Sequence, residues 1–135
     1  MTPQYIFELK LKVRDYEADA EGIVNNANYL HYLEHTRHEF CEHAGLSFRA
    51  MIEQGMTPVV RHIDITYLNS LRLGDTFVSR LALRRQGPRF IFIQDIFRLP
   101  DNLHVVKARV TSVAVENGHI TRGDRLAEAF ADYIR

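Results

Sequence analysis

Residues 16–40 read YEADAEGIVNNANYLHYLEHTRHEF, and the change of character within this stretch decides the fold. A polar segment containing Gly22 ends in a run of asparagines. From Asn26 or Asn28 to Ala44 the apolar residues then recur with a helical period, and Gly45 follows as a natural helix stop. The apolar arc of this helix comprises Tyr29, Leu30, Leu33, Phe40, Cys41 and Ala44. The stretch therefore predicts a polar loop leading into one long, largely buried helix.

Strand patterns surround this helix. Residues 5–14 alternate apolar and polar side chains, as a strand with one buried face does. Further β-rich segments occupy 57–68, 76–86, 89–99 and 103–116, and the last is followed by Asn117-Gly118, a strong hairpin signal. A short helix is predicted at 47–54 behind Ser47, and a C-terminal helix at 123–134 with Asp124 as its N-cap. Connections this short make sequential strands antiparallel.

The order of elements defines the fold class. Only the long helix can cover a sheet of this size, so we predict an α+β fold. In it a curved antiparallel sheet of about five strands wraps around the long central helix. No linker, repeat or low-complexity segment interrupts the chain, and residues 1–135 are expected to form a single domain.

Composition narrows the possible functions. The chain has 135 residues with 17 basic and 17 acidic side chains, so no net charge draws it to nucleic acid or to an anionic membrane. Cys41 is the only cysteine, which fits a reducing compartment. The first residues lack the apolar core of a signal peptide and no long apolar run follows. We expect a cytoplasmic protein that binds neither nucleic acid nor membrane.

Several histidines on the helix invite a metal-site interpretation. His31 and His35 have the i,i+4 spacing of a chelating pair, whereas His38 and His43 are i,i+5, one residue too far apart for the H-E-x-x-H zinc motif. On a helical wheel His31, His35 and His38 lie together opposite the apolar arc. We interpret them as a solvated polar face and predict no metal site.

The loop before the helix is a better candidate for chemistry. Asp19 precedes Asn26 by seven residues, with Gly22 between them, and Asn25, Asn26 and Asn28 are all good helix N-caps. Free N–H groups at a helix start favour an anion, and such donors aimed at a carbonyl form an oxyanion hole. A neighbouring carboxylate can act as nucleophile or general base. Residue spacing alone also permits a purely structural loop and cap, and by itself favours it.

The same stretch resembles the signature of hotdog-fold acyl-CoA thioesterases of the 4-hydroxybenzoyl-CoA thioesterase and YbgC-like type. In that family the pattern D-x-D-x-x-G-[IV]-V-x-x-x-x-Y joins the first strand to the central helix. The likeness covers nearly the whole chain, including YLNSLRLGD at 67–75. Two departures stand out: Glu17 replaces the first acid, and Asn25-Asn26 stand where members often have Tyr-His.

The resemblance implies an activity and roles for particular residues. Asp19 matches the catalytic carboxylate, and Asn26 the position whose backbone N–H polarises the thioester carbonyl. The implied reaction is hydrolysis of an acyl-CoA to a free acid and CoA, without cofactor or metal. The substrate-binding positions are implied to be Gly22, Ile23, Val24 and Tyr29, with Glu34 as a second candidate carboxylate on the helix.

The resemblance also implies an assembly. Sites in the family lie between subunits, so a homodimer or homotetramer is expected, and the apolar strand RFIFIQDIF at 89–97 fits an oligomer. Basic side chains are candidates to contact the CoA phosphates, although for each of them a solvated strand-end position is the simpler interpretation. They are Arg61, Arg72, Arg84, Arg85 and Arg89.

Three alternatives stay open from the sequence. One is a hotdog dehydratase or hydratase, which would normally use a histidine at the helix start. Another is a non-catalytic acyl-CoA-binding domain, which would release no thiol. Finally, His62 and Asp64 share one face of a strand and could form a base with its orienting acid, although a polar sheet face explains them as well.

Overall fold

The computed structural model describes residues 3–135. Residues 1 and 2, with which the predicted domain begins, lie outside the described residues. The helices are α1 (Asn26–His43), α2 (Phe48–Glu53) and α3 (Asp124–Ala129), and a single 3-10 turn covers Asp15–Glu17. The strands are β1 (Phe7–Lys12), β2 (Met56–Tyr67), β3 (Thr76–Gln86), β4 (Arg89–Leu99), β5 (Leu103–Glu116) and the short β6 (His119–Ile120).

All strands join one antiparallel sheet in the order β1-β3-β4-β5-β2, with β6 paired to the end of β5. The predicted α+β fold is confirmed, with β6 as a sixth, two-residue strand. Strands β3, β4 and β5 have the predicted bounds because glycine, proline and asparagine turns separate them. At the β5–β6 hairpin Asn117 and Gly118 both adopt positive φ, 50° and 83°, as a two-residue turn between twisted strands requires.

Helix α1 lies on the concave face of the sheet, and the face that it buries differs from the predicted arc. Tyr32 and Thr36 are buried, whereas Leu30 is 36% exposed. The buried polar Thr36 is satisfied because its hydroxyl lies 2.7 Å from both the Tyr32 carbonyl oxygen and the Ser79 hydroxyl of β3. A helical wheel cannot show on which flank the sheet ends, and the Leu30 flank of α1 is left uncovered.

The C-terminal helix differs from its prediction. Helix α3 ends at Ala129, not at Ile134, and Gly123 is its N-cap where Asp124 was predicted. Gly123 has φ 78°, and a Cβ there would lie 2.6 Å from the Phe90 ring. The Asp124 carboxylate instead accepts a hydrogen bond of 2.7 Å from the Arg85 guanidinium. The N-cap prediction was wrong because a neighbouring strand, not the helix, binds the Asp124 side chain.

The two edges of the sheet are different. Strand β1 is short and carries lysines, whereas β2 is twelve residues long and exposes apolar side chains. The exposed apolar residues at this edge are Val59, Val60, Ile63, Tyr67 and, just beyond the strand, Leu68. A long apolar edge strand is a template for pairing with another strand. Within residues 3–135, no helix is long and apolar enough to span a membrane.

Candidate active site

The loop before α1 is a small hairpin attached to the body of the protein. Ala18 and Val24 form an antiparallel bridge, and the N–H of Gly22 donates to the Asp19 carbonyl oxygen. Gly22 turns the chain at φ 77°, which other residues resist. Its carbonyl oxygen accepts from the N–H of Leu73, in the turn before β3. The hairpin thereby has a fixed position relative to the sheet.

The carboxylate of Asp19 is exposed and oriented by the backbone. Its Oδ1 atom accepts hydrogen bonds from the N–H groups of Glu21, at 2.9 Å, and Ile23, at 3.2 Å. The second carboxylate oxygen, Oδ2, has no hydrogen-bond partner among residues 3–135. One oxygen therefore holds the side chain in place while the other is free to accept a proton or to attack.

The start of α1 offers one unsatisfied donor. Asn25 is the N-cap, and its side-chain oxygen accepts from the N–H of Ala27 at 2.9 Å. The N–H of Asn28 reaches the carbonyl oxygen of Asn25, also at 2.9 Å. In the described chain the N–H of Asn26 meets no acceptor. Of the three predicted caps, Asn25 is the one observed, and its capping leaves Asn26 with a free N–H at the positive end of the helix dipole.

Glu17, the first acid of the sequence motif, is structural. It is 6% exposed, and its Oε1 atom accepts from the Arg14 N–H and from the Tyr32 hydroxyl. Burial and the hydrogen bond to Glu17 together raise the pKa of the Tyr32 phenol. The Glu17 carbonyl oxygen also accepts from the Asn28 side-chain amide at 2.7 Å. Glu17 thus joins the loop, on its buried side, to two turns of α1.

Tyr29 lies in the core and not on the surface of the site. It is 2% exposed, and its hydroxyl accepts a hydrogen bond from the N–H of Leu71, while burial raises the pKa of the phenol. This position does not suit the direct substrate contact that the sequence motif suggested. Tyr67, at the end of β2, contacts the Tyr29 ring and donates to the Asn26 carbonyl oxygen at 3.3 Å. Tyr67 is not among the predicted site residues, because no local pattern marks a strand residue that meets a helix start forty-one positions away.

The other predicted substrate-binding positions are spread around the loop. Gly22 and Ile23 are half-buried, and Ile23 bridges to Arg72. Val24 is 3% exposed and belongs to the core beside the helix start. Glu34 is exposed two turns along α1 and lines a small pocket against β2. The structure therefore places Asp19 and Gly22 in one turn of the loop and Asn26 at the start of the helix that follows, whereas Glu34 lies two turns further along α1.

The candidate phosphate-binding arginines do not form one cluster. Arg72 is exposed in the turn that bridges to Ile23, so it is close to the loop. Arg85 lies near α3, where its guanidinium donates to the Arg122 carbonyl oxygen and to Asp124. The remaining three, Arg61, Arg84 and Arg89, lie on exposed positions of the strands.

His62 and Asp64 lie on the convex face of the sheet. They pair with Thr111 and Arg109 of β5, whereas the intervening Ile63 pairs with buried Val110 on the concave face. Together with Arg61 and Arg89 they line an open cleft of about 620 Å³. No hydrogen bond joins His62 to Asp64 among the described contacts, and the sheet separates them from α1.

The histidines of α1 face solvent, and no group of three potential metal ligands comes together within residues 3–135. His35 pairs with Glu39 at 3.6 Å one turn along the helix. His38 stacks on Phe48 with ring centroids 4.5 Å apart. Two of the four α1 histidines, His35 and His38, thus make structural contacts on the outer side of the helix.

Comparison with known proteins supports the likeness seen in the motif. Residues 13–131 match the thioesterase-like superfamily. The chain is 36% identical over 111 residues to a chloroplastic acyl-acyl carrier protein thioesterase of Arabidopsis thaliana, covering 82% of this chain and 58% of that protein. It is 32% identical over 110 residues to the long-chain acyl-CoA thioesterase FadM of Escherichia coli, covering 81% and 83% of the two chains.

Solved structures agree. The crystal structure of a hypothetical protein from Aquifex aeolicus superposes with a TM-score of 0.85 at 29% identity, covering 92% of this chain and 98% of that one. The chain spans only 58% and 59% of the length of its two Arabidopsis relatives. The match to the superfamily extends from the end of β1 to α3 and includes the loop, the helix start and the sheet edge. The chain belongs to the thioesterase-like superfamily and has the hotdog fold of that family.

Proposed function

We propose that this protein hydrolyses acyl-CoA thioesters to a free carboxylic acid and CoA. The observation that carries the proposal is the free N–H of Asn26 at the start of α1, seven residues after an exposed, oriented Asp19 carboxylate. A carbonyl oxygen bound to that N–H becomes more negative as the tetrahedral intermediate forms. The helix start stabilises this charge, and such a donor contributes about 10²–10³ in rate.

Asp19 supplies the second half of the reaction. Its free Oδ2 atom either attacks the carbonyl carbon directly or removes a proton from a water that attacks. In both routes the carbon–sulfur bond breaks and CoA leaves as a thiolate that takes up a proton. In the direct route water then hydrolyses the acyl–Asp19 anhydride. The predicted mechanism needs no metal or cofactor.

The relatives support this chemistry and leave the carrier to be tested. FadM is named for acyl-CoA and the Arabidopsis relative for acyl carrier protein. Both carriers present the acyl group as a thioester, so the same loop and helix start serve either. Arg72, exposed beside the loop, is the best placed of the candidate arginines for an anionic carrier.

The test is thiol release from a panel of acyl-CoAs of varied length and aromaticity, with acyl carrier protein thioesters in parallel. We expect turnover on at least one member that is abolished in Asp19→Asn. Binding without thiol release across the panel would favour the acyl-CoA-binding alternative. Dehydration of a 3-hydroxyacyl-CoA, without hydrolysis, would favour the dehydratase.

We further propose that two copies pair through β2. In the described chain β2 is the last strand of the sheet, so one of its edges has no neighbouring strand. It also exposes apolar residues, including Val59 and Ile63. Antiparallel pairing of two such edges gives a closed, symmetric dimer. Sedimentation velocity should show a dimer or a tetramer, and Ile63→Lys should shift the distribution towards monomer. A wild-type chain that stays monomeric at high concentration would contradict the pairing.

A further inference from the structure

A row of apolar side chains runs from the helix start along the inner side of β2. The β2 residues Val60, Ile63, Ile65 and Tyr67 are opposite Ser112, Val110, Ala108 and Val106 of β5 in the sheet register. All four β5 residues are buried on the concave face, so the β2 side chains opposite them point to the same side as α1. Tyr67 contacts Asn26 at one end of this apolar floor, and Val60 lies at the other.

This row ends at a pocket of about 270 Å³ between α1, α2 and β2, which Val60 also lines. The part of α1 that lines this pocket lies about 16 Å from Asn26 along the helix axis, at a rise of 1.5 Å per residue. Most of the lining is apolar or weakly polar, and two charged residues of α1 complete it. The apolar contributors are Phe48, Pro58, Val59, Val60 and Phe92, and the charged ones are Glu34 and Arg37.

Arg37 is the exceptional residue of this pocket. Its side chain is half-buried, and its Nη1 atom donates to the side-chain oxygen of Gln94 at 3.0 Å. Gln94 is fully buried and is itself fixed, because its amide nitrogen donates to the Leu33 carbonyl oxygen. Arg37 forms no ion pair with any carboxylate of residues 3–135, including nearby Glu34, and burial lowers the pKa of its guanidinium.

A half-buried guanidinium with one neutral hydrogen-bond partner is costly, because desolvation of a charge is offset only by close opposite charge or several acceptors. Arg37 has five donors, and one of them is used by Gln94. The rest of the pocket presents aromatic and aliphatic surface. The missing acceptor is therefore best supplied by a bound molecule whose body is apolar.

We propose that Arg37 binds an oxygen atom at the far end of the acyl group, so that the preferred substrates carry a hydroxyl or carboxylate there. This inference rests on the proposed thioesterase function and names its substrate class. The CoA phosphates do not fit this pocket, because their several negative charges would meet a single guanidinium in a lining that is mostly apolar. The apolar floor binds the acyl chain of the substrate, and Arg37 selects substrates by the group at the far end of that chain.

The experiment uses pairs of acyl-CoAs of equal chain length, from octanoyl to hexadecanoyl, in which one member ends in a methyl group and the other in a hydroxyl or a carboxylate. A charge-assisted hydrogen bond should raise kcat/KM of the oxygenated member about tenfold to a hundredfold at the best length. Arg37→Met should remove this preference, and Arg37→Lys should keep part of it. Arg49→Met, on the exposed face of α2, is the matched control and should leave the preference unchanged.

A second measurement does not depend on turnover. Calorimetric binding of the free hydroxy acids and diacids, compared with plain fatty acids, should show the same preference in wild type and its loss in Arg37→Met. Absence of hydrolysis with this preference intact would refute the thioesterase function alone. Equal affinity for both kinds of acid would overturn the role of Arg37. An equal loss of kcat/KM on the methyl-ended and the oxygenated substrates in Arg37→Met, together with a weakened dimer, would also overturn that role. It would mean that a second copy supplies the acceptor.

Discussion

Asp19 and Ile23 exchange two hydrogen bonds across the turn of the loop. The Asp19 N–H donates to the Ile23 carbonyl oxygen at 2.9 Å, and the Ile23 N–H donates to the Asp19 carboxylate at 3.2 Å. The backbone that forms the hairpin thus also orients the side chain proposed to react. The hydrogen bonds that fix the shape of the loop therefore also fix the position of the Asp19 carboxylate.

Asp19→Asn tests this arrangement. The amide can keep the hydrogen bond from the Ile23 N–H, so we expect an unchanged melting temperature, but it can neither attack nor accept a proton from water. Turnover should fall by about a thousandfold or more, within the usual range for a catalytic acid–base group. Glu21→Gln, in the same exposed loop, is the control and should keep wild-type kcat. An Asp19→Asn enzyme with near-wild-type kcat would refute the assignment.

Asn26→Pro tests the helix-start donor without removing the helix. Proline is favoured at the first helical position, and the preceding Asn25 already has the extended conformation, φ −68° and ψ 143°, that a following proline requires. The substitution removes the free N–H, so kcat should fall by about 10²–10³. Asn26→Ala keeps the N–H and should retain activity. Equal losses in the two variants would mean that the Asn26 side chain, not its backbone, is needed.

Glu17→Ala should affect stability first. It leaves the buried Tyr32 hydroxyl and the Arg14 N–H without their acceptor, which costs roughly 2–4 kcal/mol of unfolding free energy. Glu17→Gln retains an acceptor oxygen and should cost about 1 kcal/mol by the same reasoning. Urea denaturation measures both values. If Glu17→Gln instead abolished turnover in a fully stable protein, Glu17 would have a chemical role that its burial does not suggest.

The pH dependence of stability should reflect buried groups that resist ionisation. Burial raises the pKa of the Cys41 thiol from 9.0 to about 12, while in the unfolded chain the thiol keeps its ordinary value. Between pH 9 and 12 the Cys41 thiol is neutral in the folded protein and ionised in the unfolded chain. Its contribution to stability is therefore complete below pH 9 and is lost as the pH rises towards 12.

Between pH 9 and 10 the unfolding free energy should decrease by about 1 kcal/mol from this thiol, and the slope should approach about 1.4 kcal/mol per pH unit between pH 10 and 11. The buried phenols of Tyr29 and Tyr32, whose pKa values are also raised, add to the loss at higher pH. Cys41→Ala should show a shallower slope in the first window. The same slope in both proteins would show that the thiol does not ionise on unfolding there.

The sequence predicts the framework well, since its signals are local. Turn residues separate β3, β4 and β5, and their bounds match the prediction because alternation and turn chemistry agree along each strand. Asn25 at the start of α1 and Ser47 before α2 likewise act within three residues of themselves. Asp19 and Asn26 could be nominated because a short motif contains both.

What the sequence could not predict depends on contacts between distant segments. The hydrogen bond between Tyr67 and Asn26 joins positions forty-one residues apart, and that between Arg37 and Gln94 joins positions fifty-seven apart. The helical wheel identified His31 and His35 as exposed but misassigned Leu30, because the sheet ends before that flank and leaves it uncovered. Likewise, Arg85 binds Asp124, and only the folded sheet brings them together.

The strand order has a consequence for synthesis on the ribosome. The neighbours β3, β4 and β5 are consecutive in the chain, but β1 pairs with β3 through Phe7 and Leu81, and β2 pairs with β5 through Met56 and Glu116. The segment 7–67, which precedes β3 in the chain, thus contains α1 and the Asp19 loop before their partner strands exist to form a sheet over them. We expect the apolar face of α1 to be a segment that chaperones bind during translation, and the candidate active site to form only after β5 has been made.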